Sequence, residues 1–190
     1  INHVRRVSCL MSKLKIAIAG LGFGEKVHIP AIKESDHFDL KFLYHHDKNK
    51  IDQIEKNTGV KCYGDWNSIV TSDIEGVIIA TPPHVRFKLA KEALEHDKNI
   101  LLEKPVALTS DEIQHLQRIA ISRNLRVCVD FEYRAVPLFM QTKKLLDDNK
   151  LGEIYFIKLD WLMSSRSDPN RGWNWYSLSE KGGGVIGALG

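Results

Sequence analysis

The sequence predicts a doubly wound α/β domain, in which a parallel β-sheet carries helices on both faces. Apolar runs of strand length alternate with segments of helical period from residue 13 to about residue 133. Several of these runs, such as KIAIAG and GVIIAT, are continuously apolar rather than alternating. Strands buried on both faces have this pattern, and regular strand–helix alternation is typical of a parallel sheet.

Six strands are predicted within this region. Each is a short apolar run that is followed by a turn residue or by a cluster of polar residues. The predicted strands are Leu14–Ala19, Leu40–His45, Lys61–Tyr63, Gly76–Thr81, Asn99–Glu103 and Arg126–Phe131.

Helices are predicted between the strands from capping signals and from apolar spacing. Asp47 can cap a helix that ends at Gly59. Residues 85–94 place apolar side chains at helical spacing. Thr109 followed by Glu112 is a capping-box pattern, which predicts a helix that begins there.

The strand–helix rhythm changes after Tyr133, so we predict a domain boundary near residue 132. Pro137 can begin a helix that ends near Gly152. The next segment, Glu153–Met163, is predicted as the longest strand of the chain. The remaining residues are polar, aromatic and rich in glycine.

Composition and charge exclude several classes of protein. The 27 basic and 24 acidic residues nearly balance and form no basic block, so no nucleic-acid partner is predicted. No apolar run approaches the roughly 18 residues of a membrane span. Cys9, Cys62 and Cys128 are few and far apart, which predicts neither a disulfide framework nor a metal site. A cytoplasmic location is therefore expected.

The first predicted strand runs into a glycine-rich loop, GLGFGEKVHIP, at residues 20–30. Gly20 and Gly22 lie where a Rossmann strand turns into its first helix, and side chains there would keep a pyrophosphate away from the backbone. Phe23 and Gly24 complete the loop, and Glu25 stands where the G-x-G-x-x-G pattern has glycine. The loop predicts dinucleotide binding. A tight strand–helix turn without ligand and a methyltransferase loop are the alternatives.

The end of the second predicted strand bears on the choice between NAD and NADP. An acidic residue is expected there if the ribose 2′-hydroxyl is bound, but the sequence reads Tyr44-His45-His46-Asp47. Histidines suit a 2′-phosphate better than a hydroxyl, so the pair favours NADP. The alternative is that His45 and His46 are solvated turn residues and that Asp47 caps a helix.

Two further motifs follow predicted strands. Thr81-Pro82-Pro83 ends the fourth strand, and Glu103-Lys104-Pro105 ends the fifth. Because the carboxyl ends of parallel strands share one edge of the sheet, both motifs should lie where doubly wound folds bind their ligands.

In combination these segments resemble the glucose–fructose oxidoreductase, inositol dehydrogenase and MocA (Gfo/Idh/MocA) family. The matching segments are AIAGLGFGEKVHIPAI, VIIATPPHVRFKLAKEAL, NILLEKPVALT, FEYRAVP and GWNWYSLSEKGGGVIGALG. They occur in the family's order and cover nearly the whole chain after residue 12. The resemblance implies an NAD(P)-dependent oxidoreductase that acts on sugars, polyols or related carbinols and forms homo-oligomers. It also implies an N-terminal extension at 1–12, an NAD(P)-binding Rossmann domain at 13–131 and the incomplete start of an α+β substrate domain at 132–190.

The resemblance also suggests roles for individual residues. Lys104 would be catalytic, beside the substrate hydroxyl and the nicotinamide, with Glu103 steadying the site and a cis Lys104–Pro105 bond directing the lysine. The alternative for Lys104 is a solvated lysine at a strand end. Arg134, Trp173 and Trp175 are candidate substrate contacts, with ion pairing or packing as their alternatives.

The chain departs from the family pattern near its C-terminus. Gly182, Gly183 and Gly184 match, but Ala188 occupies the position of an aspartate. The family's catalytic histidine would follow Gly190, whereas the last histidine of this sequence is His115. The expectation is therefore a front half that binds the cofactor but turns over substrate poorly, or a nucleotide-binding module without turnover.

Overall fold

Six parallel strands form one sheet in the computed structural model, which describes residues 12–160, 162, 170 and 172–184. The strands are β1 (Leu14–Ala19), β2 (Phe38–Tyr44), β3 (Lys61–Tyr63), β4 (Gly76–Ile79), β5 (Asn99–Glu103) and β6 (Val127–Asp130). Their order across the sheet is β3-β2-β1-β4-β5-β6. The strand order reverses between β1 and β4, which creates a crevice at the carboxyl ends of these two strands. The predicted fold class is confirmed.

Helices connect the strands. A π-helical turn at Gly24–His28 leads into α1 (Ile29–Lys33), and a 3₁₀ turn at Lys48–Lys50 leads into α2. The other helices are α2 (Ile51–Thr58), α3 (Trp66–Val70), α4 (Pro83–Glu95), α5 (Ser110–Ser122) and α6 (Pro137–Asp147). No helix in the described ranges is both long enough and apolar enough to cross a membrane.

The core lies on both faces of the sheet. On β1, Ile16 and Ile18 pack with buried residues of α1 and α2, whereas Ala17 and Ala19 pack with α3, α4 and α5. This two-sided burial explains why the strand is continuously apolar in sequence. Each buried isoleucine of this kind stabilises the fold by roughly 1.5–3 kcal/mol.

The predicted helix caps are confirmed. The Asp47 carboxylate accepts a hydrogen bond from the Asn49 N–H at 3.1 Å, and the Thr109–Glu112 capping box opens α5. The sequence analysis missed α3, which has only five residues and is too short to show a period. Its signal is Asp65, whose carboxylate accepts hydrogen bonds from the N–H groups of Asn67 and Ser68.

After β6, the observed secondary structure agrees only in part with the secondary structure predicted from the sequence. Pro137 begins α6 as predicted. The predicted strand at Glu153–Met163 is wrong for residues 153–160, which form no strand; Trp161 and Met163 lie outside the described residues. A strand needs a neighbour to satisfy its backbone N–H and C=O groups, and no described segment pairs with this one.

Candidate active site

A cleft of about 1000 Å³ runs along the carboxyl edge of the sheet, where the chain leaves β1, β2, β4, β5 and β6. The segment at residues 172–184 returns to this edge and contributes Trp175 and Tyr176 to the lining. The cleft brings together most of the residues that the sequence proposed as a site. These are Gly20, Gly22, Phe23, His45, His46, Thr81, Pro82, Glu103, Lys104 and Trp175.

Four of the sequence-predicted site residues do not line the cleft. Gly24 and Pro83 are the first residues of the helical segments that follow the cleft residues Phe23 and Pro82. Arg134 and Trp173 are exposed and lie outside the lining. The geometry gives no support to their assignment as substrate contacts, which stays a prediction.

The three glycines of the loop after β1 have different structural roles. Gly20 has a φ of +94°, and a β-carbon there would lie 2.5 Å from the carbonyl carbon of Ala80. A β-carbon on Gly24 would lie 2.9 Å from Ile18 Cγ2, so this glycine lets the first helical turn pack against β1. Gly22 has open space around it and borders the cleft. Gly22 is therefore the glycine at which a ligand can approach the backbone.

Arg86 joins the two turns that follow β4 and β5. It is 2% exposed, and its guanidinium donates hydrogen bonds to the carbonyl oxygens of Thr81, Glu103 and Pro105. Burial lowers the pKa of Arg86 to about 10, while the negative charge of Glu103 opposes that shift. Arg86 is thus still charged at neutral pH. The Lys104–Pro105 bond is cis, as predicted.

The Glu103 carboxylate is held from two sides. Its Oε1 lies 2.9 Å from His28 Nε2, and its Oε2 accepts the Lys104 backbone N–H at 3.3 Å. Asp130 completes this buried group, with its Oδ2 3.8 Å from His28 Nε2. These three side chains offer metal-ligating atoms within 4.8 Å of one another, but their contacts to each other already account for the arrangement. Glu103 therefore acts on the site by fixing the backbone that carries Lys104.

The Lys104 side chain is surrounded by groups that follow β6. Its Nζ lies 3.8 Å from Glu132 Oε1 and 5.9 Å from the centre of the Tyr133 ring. Glu132 lines the cleft, and its role was not predicted from the sequence. An ammonium group between a carboxylate and an aromatic face is well placed to meet a polar ligand in the cleft.

Buried polar atoms without a hydrogen-bond partner are concentrated in this cleft. Four such side-chain atoms occur in the described part of the chain: Trp66 Nε1, Thr81 Oγ1, Arg86 Nε and Glu132 Oε2. All four belong to residues that line the cleft. Because buried polar atoms are nearly always satisfied in folded proteins, this concentration indicates a site that receives polar groups from a ligand.

The loop after β2 presents two histidines and no acid to the cleft. The His45 and His46 rings stack with their centres 4.8 Å apart, and both residues line the cleft. The Asp47 N–H donates to His45 Nδ1 at 3.1 Å, and the Asp47 carboxylate caps the following turn. Asp47 is thus engaged in capping and is not among the residues that line the cleft.

Several lining residues were missed by the sequence analysis: Lys26, Trp66, His84, Glu92, Glu132 and Tyr176. Lys26 had a recognisable signal, because it lies in the first helical turn after the glycine loop. Tyr176 is stacked on Trp175 with ring centres 3.8 Å apart, and nothing local in the sequence distinguishes it from a packing residue.

Comparison with known proteins points to one family. The family model described as an oxidoreductase family with an NAD-binding Rossmann fold matches residues 14–131. A second model, described as the C-terminal alpha/beta domain of an oxidoreductase family, matches residues 143–190. Both are models of the Gfo/Idh/MocA group.

Individual relatives agree with these matches. An uncharacterized oxidoreductase of Synechocystis sp. is 39% identical over 178 residues, which cover 93% of this chain and 48% of the relative. Levoglucosan dehydrogenase of Pseudarthrobacter phenanthrenivorans is 34% identical over 127 residues, which cover 66% of this chain and 33% of that enzyme. The chain spans about half the length, or less, of these curated relatives.

Solved structures share the fold. A scyllo-inositol dehydrogenase from Lactobacillus casei, with bound NAD(H) and scyllo-inositol, matches with a TM-score of 0.69 and 28% sequence identity. The match covers 75% of this chain and 43% of that one.

Proposed function

Because the chain belongs to the Gfo/Idh/MocA family of oxidoreductases, we propose that it binds NAD or NADP in the cleft and takes part in hydride transfer. The substrate would be a sugar, a polyol or a related small molecule, reacting at a carbinol or carbonyl carbon. One observation carries the proposal: the open glycine at Gly22 and the lysine at Lys104 line the same cleft at the sheet edge.

The lining residues fit a dinucleotide. Gly22 leaves the backbone open to a pyrophosphate at the beginning of a helix, where N–H groups and Lys26 supply positive charge. Trp66 Nε1 is an indole N–H donor and Thr81 Oγ1 is a hydroxyl, and neither has a partner among the described residues. A ligand in the cleft would offer them one. The bound nicotinamide would supply the hydride acceptor or donor.

The residues of this chain would transfer the proton and position the reacting groups. Lys104 would hold or relay the proton of the substrate hydroxyl, a task that depends on close positioning. Glu103, His28 and Arg86 would fix the backbone on both sides of Lys104 through the hydrogen bonds described above. Trp175 would offer an aromatic face to the apolar face of a sugar ring.

The cofactor assignment is tested by Gly22→Val. The added side chain should occupy the space of the pyrophosphate and lower NADH and NADPH affinity at least about tenfold, measured by fluorescence titration. Gly172→Val is the matched control, since Gly172 also has open space around it but lies away from the cleft. Undiminished dinucleotide binding by a folded Gly22→Val chain would refute the assignment.

The histidine pair leads us to propose that NADP binds at least as well as NAD. His45→Asp should reverse that preference, because a carboxylate accepts from a 2′-hydroxyl and repels a 2′-phosphate. We expect the ratio of NADPH to NADH dissociation constants to rise at least about tenfold. His37→Asp, at an exposed histidine away from the cleft, is the control. A ratio that is the same in both variants would contradict the proposal.

The proposal also covers the location, the oligomeric state and the domain organisation of the protein. We propose a cytoplasmic enzyme that forms homo-oligomers and has a domain boundary near residue 132. Cys62 and Cys128 are free thiols, which suits a reducing compartment.

A further inference from the structure

Glu132 has a carboxylate oxygen that no described group satisfies. The residue follows β6 in the 3₁₀ turn Glu132–Ala135 and lines the cleft beside Lys104. Its Oε1 lies 3.8 Å from Lys104 Nζ, whereas its Oε2 is buried and has no hydrogen-bond partner. The two oxygens of one carboxylate are therefore in different situations.

The lysine does not account for the second oxygen. A separation of 3.8 Å is an ion-pair distance, but it is too long for a hydrogen bond. A buried acceptor without a donor costs about 1–3 kcal/mol, and more when the group is charged. The free-energy cost of this unpaired acceptor would be removed if a ligand in the cleft supplied the missing hydrogen-bond donor.

We propose that Glu132 binds the substrate by accepting a hydrogen bond from a hydroxyl on the carbon next to the reacting one. The inference rests on the proposed function, in which Lys104 meets the reacting hydroxyl. Glu132 is the neighbour of Lys104 in the cleft, and a rotation of its terminal bond turns the buried oxygen towards the cleft, where a hydroxyl on the adjacent carbon would meet it. Among sugars and polyols, Glu132 then selects those that carry a hydroxyl on that adjacent carbon.

The same Glu132 oxygen would also make the site selective among substrates. A site built to bond a substrate hydroxyl strongly rejects an analogue without it, because the buried acceptor is again left unpaired. Trp175 and Tyr176 complement the carboxylate, since their rings can cover the apolar face of a cyclic polyol. A carboxylate and aromatic rings in one cleft suit a cyclic polyol better than a simple alcohol.

The test compares wild type with Glu132→Gln, which keeps the size of the side chain and removes its charge. The 190-residue chain is saturated with NADH and titrated with scyllo-inositol, levoglucosan and glucose, and binding is followed by the change in NADH fluorescence. We expect polyol affinity to fall at least about tenfold in Glu132→Gln, while NADH affinity stays within about twofold. Glu180→Gln, at an exposed glutamate outside the cleft, should bind like wild type.

A second comparison isolates the hydroxyl. Wild type should bind trans-cyclohexane-1,2-diol more tightly than cyclohexanol, and Glu132→Gln should lose that difference. A variant that keeps wild-type polyol affinity, or that loses NADH and polyol affinity equally, overturns the inference. So does a wild-type complex with NADH that binds none of the polyols. Failure of wild type to bind NADH at all would instead refute the proposed function itself.

Discussion

Asp130 ends β6 next to two other ionisable side chains, His28 and Glu103. Its pKa is raised above the ordinary value of 3.8, first because burial disfavours the charged form and then because Glu103 is negative, while His28 opposes the shift. The folded state therefore binds the Asp130 proton more tightly than the unfolded state does. This contribution to stability is fully present below pH 3.8 and is lost as the pH rises through the raised folded-state pKa.

Asp130→Asn should consequently be more stable than wild type at neutral pH, because the amide is neutral at every pH. The expected result is a higher midpoint of thermal unfolding at pH 7, with a difference that closes as the pH falls towards 4. Asp52→Asn, at an exposed position of α2, should show no such trend. A less stable Asp130→Asn chain at pH 7 would mean that the attraction of His28 outweighs burial and the repulsion of Glu103.

Individual site residues could be predicted from the sequence where a motif directly follows a recognisable strand. Gly22, Thr81 and Lys104 follow strands that could be recognised, so their common edge followed from the topology of parallel strands. Glu132 and Tyr176 had no such signal, because what distinguishes them is the neighbours that the fold supplies. Glu132 contacts a lysine 28 positions earlier in the chain, and no local pattern encodes that contact.

At the scale of elements, Arg86 connects two turns that belong to different strands. Arg86 is carried by α4, and its guanidinium reaches Thr81 after β4 as well as Glu103 and Pro105 around the end of β5. The contacts to Thr81 and Glu103 are buried and the contact to Pro105 is part-buried, so these carbonyl oxygens have little access to water. The turns after β4 and β5, which both border the cleft, are thus held by one side chain.

Arg86→Met should therefore destabilise the chain by at least about 3 kcal/mol, since it removes the donor from two buried carbonyl oxygens and one part-buried one. Arg86→Lys keeps the charge but replaces a planar fork by a single ammonium, so it should fall between Met and wild type. The measurement is chemical denaturation, with the exposed Arg118→Met of α5 as a control that should change stability by no more than about 0.5 kcal/mol. A loss below about 1 kcal/mol for Arg86→Met would show that the three hydrogen bonds of Arg86 contribute little to stability.

The central strands β1 and β4 could be predicted because burial on both faces leaves a continuous apolar signal in their sequences. The other strands were predicted from short apolar runs followed by turn residues, and most helices from caps and apolar spacing. The short helix α3 escaped because five residues show no period. The predicted strand at residues 153–163 failed over its described part for the opposite reason: its local pattern is strong, but strand formation depends on a pairing partner elsewhere. Local sequence patterns were therefore sufficient to predict the elements whose packing partners lie within residues 13–131.

At the scale of the whole molecule, the part of the chain after β6 exposes much of its apolar surface. Phe156 is 81% exposed and Tyr155 is 87% exposed, and their apolar neighbours Ile157 and Leu159 are exposed as well. These residues are rich in aromatic and β-branched side chains, which favour strands. A strand-prone segment with exposed apolar side chains and unpaired backbone groups is a template for pairing with another chain.

The 190-residue chain should therefore self-associate through this segment, and Phe156→Glu should weaken the association. A charge in the centre of the apolar run opposes both burial of the run and pairing with an identical segment. In sedimentation velocity, the wild-type average mass should rise with concentration, whereas Phe156→Glu should need a concentration at least about tenfold higher to reach the same mass. Gln141→Glu adds the same charge at an exposed polar position of α6 and should behave like wild type. A wild-type chain that stays monomeric at every concentration, or a Phe156→Glu chain that associates as readily, would show that this surface does not hold copies together.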